Sequence, residues 1–262
     1  MQQIARLPVD THVHLYPGFS IERCFSSAAH HMAAVTGSRQ RGVLCIVENS
    51  GLEVFGTLRG AYGDWQVSET LEAVTRKAVH LDGTHLLLVA GRQIVTREGL
   101  EVLGIGLRAA PAEGQAAEEV IDAVVAEGAL AVLPWGVGKW HGARGACIDR
   151  LIEARRGQPG VFLAESGVRP TILPRPARFA SAEAQGWRVL AGTDPLPLRR
   201  GDIDPGRFGI VLHDVPYTDL SFRGIAERLC GASASPDIYG SLASGPQFLR
   251  QQVAMQWRKR WS

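Results

Sequence analysis

Leu7-Pro8-Val9-Asp10-Thr11-His12-Val13-His14-Leu15 is the stretch on which the fold turns. It is an apolar run that reads as a β-strand and ends in an aspartate and two histidines at alternate positions. Side chains alternate across a strand, so Asp10, His12 and His14 are expected on one face. Thr11 and Val13 then face a helix layer, which suits their β-branched shapes. Burying a carboxylate and two imidazoles on one inward face is costly unless each finds a partner. A divalent cation is an economical partner for that set. Two histidines hydrogen-bonded into a polar core is the other reading of the same residues.

Short apolar strands and helical patterns alternate outward from this stretch. Residues 21–35 read as a helix opened by Ser20, and 42–47 as a second strand. Residues 67–80 have helical spacing. Strands follow at 86–90 and 101–107, with Arg97-Glu98-Gly99 as a turn between them. Ala117, Val120, Ile121, Val124 and Val125 form the clearest helical stripe, closed by Gly128. A strand at 129–133 comes next, then a helix with Cys147, Ile148, Leu151 and Ile152 as its stripe. Strands are expected at 161–164, 187–192 and 208–212, and helices around 217–230 and 246–258. Pro-rich residues 170–178 read as a loop. Repeated strand–helix alternation points to an α/β fold with a parallel sheet, and about seven strands fit a closed or distorted barrel. One domain over residues 1–262, with a C-terminal helical extension from about 217 to 262, is the expected organisation.

Composition narrows the class. The 262 residues are 45% hydrophobic, enough for a large core, and the 30 glycines are spread along the chain as tight turns would need. A net charge of +2 argues against a general nucleic-acid binder. No apolar run approaches the roughly 18 residues of a membrane span, and residues 1–15 have no signal-peptide pattern. Cys24, Cys45, Cys147 and Cys230 form no CxxC pair, so reduced thiols in a cytoplasmic protein are expected.

Chemistry-bearing residues recur at the ends of the expected strands, where barrel enzymes build their sites. These are His12 and His14, Glu48, Arg92 with Gln93, Glu165, Asp194 and His213. Asp194, in Gly192-Thr193-Asp194-Pro195, is placed to close a site opened by the first strand; a helix cap or Asp-Pro turn is the alternative. Glu165 is a candidate ligand or general base, with Glu48 and His213 behind it. Arg92 and Lys139 are candidates for holding an anionic group. Gly136-Val137-Gly138-Lys139 lacks the spacing of a phosphate loop, and no GxSxG elbow occurs. The C-terminal Trp257-Arg258-Lys259-Arg260-Trp261 reads as a solvated helix end, with contact to an anionic surface or nucleic acid as the alternative.

At these residues the chain resembles the PHP (polymerase and histidinol phosphatase) family of metal-dependent phosphoesterases, relatives of the amidohydrolases. Asp10-Thr11-His12-Val13-His14 matches the opening DxHxH motif. Residues 90–104 resemble the "GxEI … hxLxLG" segment, and Gly192-Thr193-Asp194 the closing GSDxH. The resemblance implies a distorted (βα)7 TIM-like barrel with up to three divalent metals at the strand C-termini, hydrolysing phosphate esters. The family's ligands are replaced at four positions, the first of which loses both an Asp and a His. The Thr-Asp-His segment aligns near Val47-Glu48-Asn49, the bridging Glu is Gln93, the His of "HP" is Leu133, and the last His is Leu196. The expected site is therefore one divalent ion (Zn, Mn or Fe) on Asp10, His12, His14 and Asp194, with Asp194 or Glu165 accepting the proton. The expected substrate is a small molecule, with an anionic one suggested by Arg92 and Lys139. An inactive PHP-like protein with a binding or regulatory role is the alternative.

Overall fold

The structure is a computed structural model that describes residues 4–37, 41–198, 204–216 and 220–261, with side chains described between 6 and 254. The chain runs β1 (Ile4–Val13), α1 (Ile21–Thr36), β2 (Arg41–Glu48) and the single turn α2 (Val54–Thr57). An antiparallel excursion follows, of β3 (Gly60–Tyr62), β4 (Trp65–Glu69) and β5 (Thr75–His80). Next come β6 (His85–Val95), β7 (Glu101–Ile105), α3 (Ala117–Ala126), β8 (Leu130–Pro134), α4 (Gly142–Ala154), β9 (Val161–Ser166) and α5 (Ala177–Glu183). The chain closes with β10 (Val189–Gly192), β11 (Phe208–Pro216), α6 (Phe222–Gly231), β12 (Asp237–Gly240) and α7 (Gly245–Trp261).

The helix expected at 67–80 does not form. Those residues make β4, a turn and β5, with Trp65 paired to His80 and Val79 to His85. Leu71, which completes the helical spacing, is fully exposed in the turn. Pairing with β6 decides the conformation there, and periodicity alone does not report it. The single-stripe helices form as expected. Ser20 caps α1 by accepting from the Arg23 amide, and Gly37 ends it in the left-handed conformation.

The strands form one sheet in the order β10-β9-β8-β7-β6-β2-β1-β11-β12. β1, β2 and β6 are mutually parallel, as are β8, β9 and β10. β7 runs antiparallel to both β6 and β8, and β11 antiparallel to β1. The sheet is therefore mixed, which corrects the expectation of regular βα units in a parallel (βα)7 array. Six strands still point the same way, so their C-terminal ends share one face. The start of antiparallel β7, at Glu101, opens on that face too.

The sheet curls until its ends nearly meet. Thr11 Oγ1 donates to the Ala191 carbonyl at 2.9 Å, and the Asp194 amide donates to the His12 carbonyl at 2.7 Å. These bonds stitch β10 to the end of β1. Val9, Val43, Val89, Leu103, Val132 and Phe162 fill the interior. The outer face packs against α1 on one side and against α3, α4 and α5 on the other. The end opposite the strand C-termini is sealed by α6, whose Phe222, Ile225 and Leu229 join the interior cluster. Each such buried side chain contributes roughly 1.5–3 kcal/mol. The helical extension expected from about 217 thus includes a barrel plug, preceded by residues 217–219, which lie outside the described ones. It is also interrupted by β12, a sheet strand not anticipated from the sequence. The Trp257–Trp261 side chains lie outside the described residues as well. Among the described residues no helix is long and apolar enough to cross a membrane.

Gly192 is required by the closure. A Cβ on it would strike the His12 backbone nitrogen and Cβ. Backbone cannot swing aside, so Gly192→Ala is expected to push β10 off β1. The cost should be about 3 kcal/mol, at the top of the range for overpacking, and metal uptake should fall with it. Thermal unfolding and metal analysis of the variant check this; a wild-type melting curve would contradict it.

Candidate metal centre

β1 carries the first two side chains, but not by simple alternation. Val9 faces the interior, and Asp10, opposite Leu44, faces the α1 layer. Between Asp10 and Val13 the register slips: three steps along β1 match two along β2. Such an extra residue is a β-bulge, a device that re-aims side chains. It returns Val13 to the α1 layer and leaves His12 and His14 on the inner side. Asp10 and the histidines are thereby put on opposite faces, contrary to the shared face that alternation predicts.

Asp10 is consequently not a ligand, which corrects the expected set. Its Oδ1 accepts from the Thr193 amide at 2.8 Å and the His12 amide at 3.2 Å. Its Oδ2 accepts from the Gly206 amide at 2.8 Å and the Thr193 hydroxyl at 2.5 Å. Burial pushes its carboxyl up to about 6, although these four donors favour the charged form. Asp10 ties β1 to the segments after β10 and before β11. It anchors the site from behind.

The residues that converge are His12, His14 and Asp194. The two Nε2 atoms are 2.9 Å apart, and each is 3.7 Å from Asp194 Oδ1. A triangle with those sides has a circumradius of about 2.0 Å, and a tetrahedral apex over it lies about 2.1 Å from each corner, which matches Zn–N and Zn–O bonds of roughly 2.0–2.2 Å. His14 Nδ1 is 2.7 Å from the Val47 carbonyl oxygen. A carbonyl only accepts, so Nδ1 carries the proton and Nε2 presents its lone pair to the cradle. A ligating histidine is commonly oriented in this way. Burial lowers His12 to about 4, against the opposing charge of Asp194, and lowers His14 as well. Both rings are neutral near pH 7, so no net proton release is required. With His14 protonated on Nδ1, the 2.9 Å contact is His12 Nε2 donating to His14 Nε2. That proton must move to His12 Nδ1 for both Nε2 atoms to bind a cation.

Asp194 is held with equal care. Its φ of 53° lies in the left-handed region, uncommon for a residue with a side chain and a form of strain that collects at functional sites. The amide bond to His12 fixes the backbone, and Oδ2 accepts from the Ser166 hydroxyl at 2.9 Å, leaving Oδ1 toward the rings. Burial acts to raise its pKa, but the charges that His12 and His14 carry once protonated in acid, the charge of Lys139 and the Ser166 hydrogen bond outweigh it and hold the carboxyl low. The remaining exposure of the triad is at the Asp194 side chain, 18% against a few per cent for the rings.

Glu48, Arg92 and Glu165 lie at the triad's end of the barrel with their charges already taken, whereas His213, on antiparallel β11 beside the start of β1, lies at the opposite end. Glu165 is buried against Arg169, with Arg175 3.8 Å from its second oxygen. That occupation removes it as the expected general base. Glu48 accepts from the Phe55 amide at 2.8 Å and pairs with Arg92 at 3.3 Å. Arg92 also donates to the Leu52 and Arg108 carbonyls and to Glu53, so it latches a loop and is not placed to hold an anionic group. His213 is exposed and pairs with Asp237. Gln93 continues the interior face of β6, half-buried, whereas Leu133 turns outward into the α3–α4 layer. Leu133 therefore does not stand where a family ligand would face the site. Leu196 is half-buried in the segment after Asp194. The residue that sequence reasoning underuses is Ser166, the hydroxyl that orients Asp194; its signal is its place beside Glu165 at a strand end.

Two cavities lie away from the triad. One, about 750 Å³, runs between α1 and the β11–β12 pair, and the other, about 470 Å³, lies beside α6 at the closed end.

No protein-family model matches the sequence, and comparison with curated proteins gives no match. Among solved structures the chain is similar to the crystal structure of PsfC from Pseudomonas syringae, with a TM-score of 0.53 and 13% identity over 97% of this chain and 99% of that one. That likeness concerns the overall fold: a barrel-like mixed sheet with helices outside it.

Proposed function

We propose that this protein is a hydrolase with a single divalent metal, a divergent PHP-type phosphoesterase on a TIM-like barrel. The observation that carries the reading is the cradle of His12 Nε2, His14 Nε2 and Asp194 Oδ1, spaced for one cation at ordinary bond lengths. Such a cation supplies Lewis-acid chemistry: it makes water more acidic and polarises the bond to be cut. The protein's part is to orient. Val47 fixes the His14 tautomer, Ser166 turns the Asp194 carboxylate, and Asp10 holds the Thr193 segment in place. Among the described residues no Arg or Lys pairs directly with Asp194. Of the two expected proton acceptors it is the one that no arginine occupies, since Glu165 is taken by Arg169. Its lowered pKa nevertheless makes it a weak base, and its stronger role is as a ligand. A small anionic substrate suits the reading, and so does a cytoplasmic location.

The expected result of metal titration is one tight site, because the other strand-end carboxylates are neutralised by arginines. Two or more tight sites would overturn the single-metal assignment. Hydrolysis on a panel of phosphate esters and amides should be abolished by a chelator and restored by metal. The pairing of Glu48 with Arg92 and of Glu165 with Arg169 also favours a second reading, a catalytically silent relative that keeps one ion for binding or regulation. That protein would hold one metal and turn over nothing on the panel.

A further inference from the structure

Lys139 is a cation that the strand-end ion pairs leave accessible. The turn Gly136–Lys139 closes with the Lys139 amide donating to the Gly136 carbonyl at 2.9 Å, and Gly138 takes a φ of 77°. The lysine stem folds back over Gly136: a Cβ there would lie 2.7 Å from its Cδ. That fold aims the ammonium at the start of β7, where Nζ lies 2.7 and 2.5 Å from the two Glu101 oxygens. Glu101 pairs with Val95 at the C-terminal end of β6 and continues the interior side of β7 marked by Leu103. Lys139 follows β8, so the pair stands at the same end of the barrel as the triad.

An ammonium has three donors, and two carboxylate oxygens take at most two. The Lys139 side chain is 44% exposed, unlike the Arg92 and Arg169 side chains, which are buried in their own pairs. The charges also favour an anion. A divalent cation with Asp194, Lys139 and Glu101 leaves this end of the barrel at a net +1; this count rests on the metal reading above.

We propose that Lys139 is an anion seat: a ligand or substrate bearing a small oxyanionic group, phosphate or carboxylate, docks that group on the Lys139 ammonium beside the triad. Glu101 holds the ammonium in position and competes with the incoming anion. The third donor of the ammonium is available to a first oxygen.

The test is calorimetric titration of inorganic phosphate, and separately of acetate, into the metal-loaded and metal-free protein, with metal content measured on each sample. At least one of the two anions should bind, and which one does separates the phosphate from the carboxylate source. Lys139→Met should weaken that binding about 10- to 100-fold, the usual worth of a charged hydrogen bond, with metal content unchanged. Lys139→Arg should restore most of it, and Glu101→Gln should bind at least as tightly as wild type. Unchanged affinity in Lys139→Met, or no uptake of either anion by the wild type, overturns the seat. A wild type that holds no metal but binds an anion through Lys139 would keep the seat and remove the metal reading instead.

Discussion

His14→Ala is expected to abolish metal uptake. The substitution removes one of three protein ligands together with the ring whose orientation is set by the Val47 carbonyl. Losing a mere supporting contact to a ligand typically costs 10- to 100-fold in affinity, so losing the ligand itself should cost at least about 100-fold. His12→Ala should match it, because both nitrogens stand at the same 3.7 Å from Asp194 Oδ1. Any metal-dependent hydrolysis should vanish in both variants. The fold should persist, since the barrel closes through the backbone of His12 and not through its ring. Equilibrium dialysis followed by metal analysis, with circular dichroism as the folding control, reads the outcome. A folded His14→Ala protein that retains a full equivalent of metal would mean that the triad is not the site.

Much of the barrel is legible in the sequence because its strands are short, apolar and separated by strong helical stripes. The α3 stripe and the β8 run after Gly128 need no tertiary information to be recognised. The segment at 67–80 does need it: Val67, Val74 and Ala78 satisfy a helical period, but hydrogen bonding to β6 makes the segment strand and turn. The direction of β7 is equally hidden, because an apolar run carries no sign of whether its neighbours are parallel.

The site divides along the same line. His12, His14 and Asp194 are identifiable from residue type and position at strand ends, and the structure brings them together. Glu165 and Arg92 qualify on the same grounds, yet their partners, Arg169 and Glu53, sit on loops. Whether a strand-end charge is available depends on such loop neighbours, and sequence spacing does not report them. The bulge is a sharper case. One extra residue in β1 reverses the facing of everything before it, so strict alternation assigns Asp10 to the wrong side.

Asp10 therefore supplies the prediction that separates an anchor from a ligand. Asp10→Ala would leave the Thr193, Gly206 and His12 amides without their acceptor in a fully buried pocket. Each unsatisfied donor costs roughly 1–3 kcal/mol, and some of that is recovered because a buried charge is also removed. A net loss of about 3 kcal/mol is expected at neutral pH. Asp10→Asn should be milder, near ~1 kcal/mol. The amide oxygen can still accept from Thr193 and His12 in place of Oδ1. The Thr193 hydroxyl, which is 3.2 Å from the Phe208 carbonyl oxygen, can turn its proton there and accept from the new NH₂. The Gly206 amide and the second hydrogen of the new NH₂ are then left unpaired. Denaturant unfolding should rank wild type above Asp10→Asn above Asp10→Ala. Asp10→Asn should keep one equivalent of metal, because His12, His14 and Asp194 are untouched. A well-folded Asp10→Asn protein that has lost its metal would return Asp10 to the ligand set and show that the bulge does not turn it away.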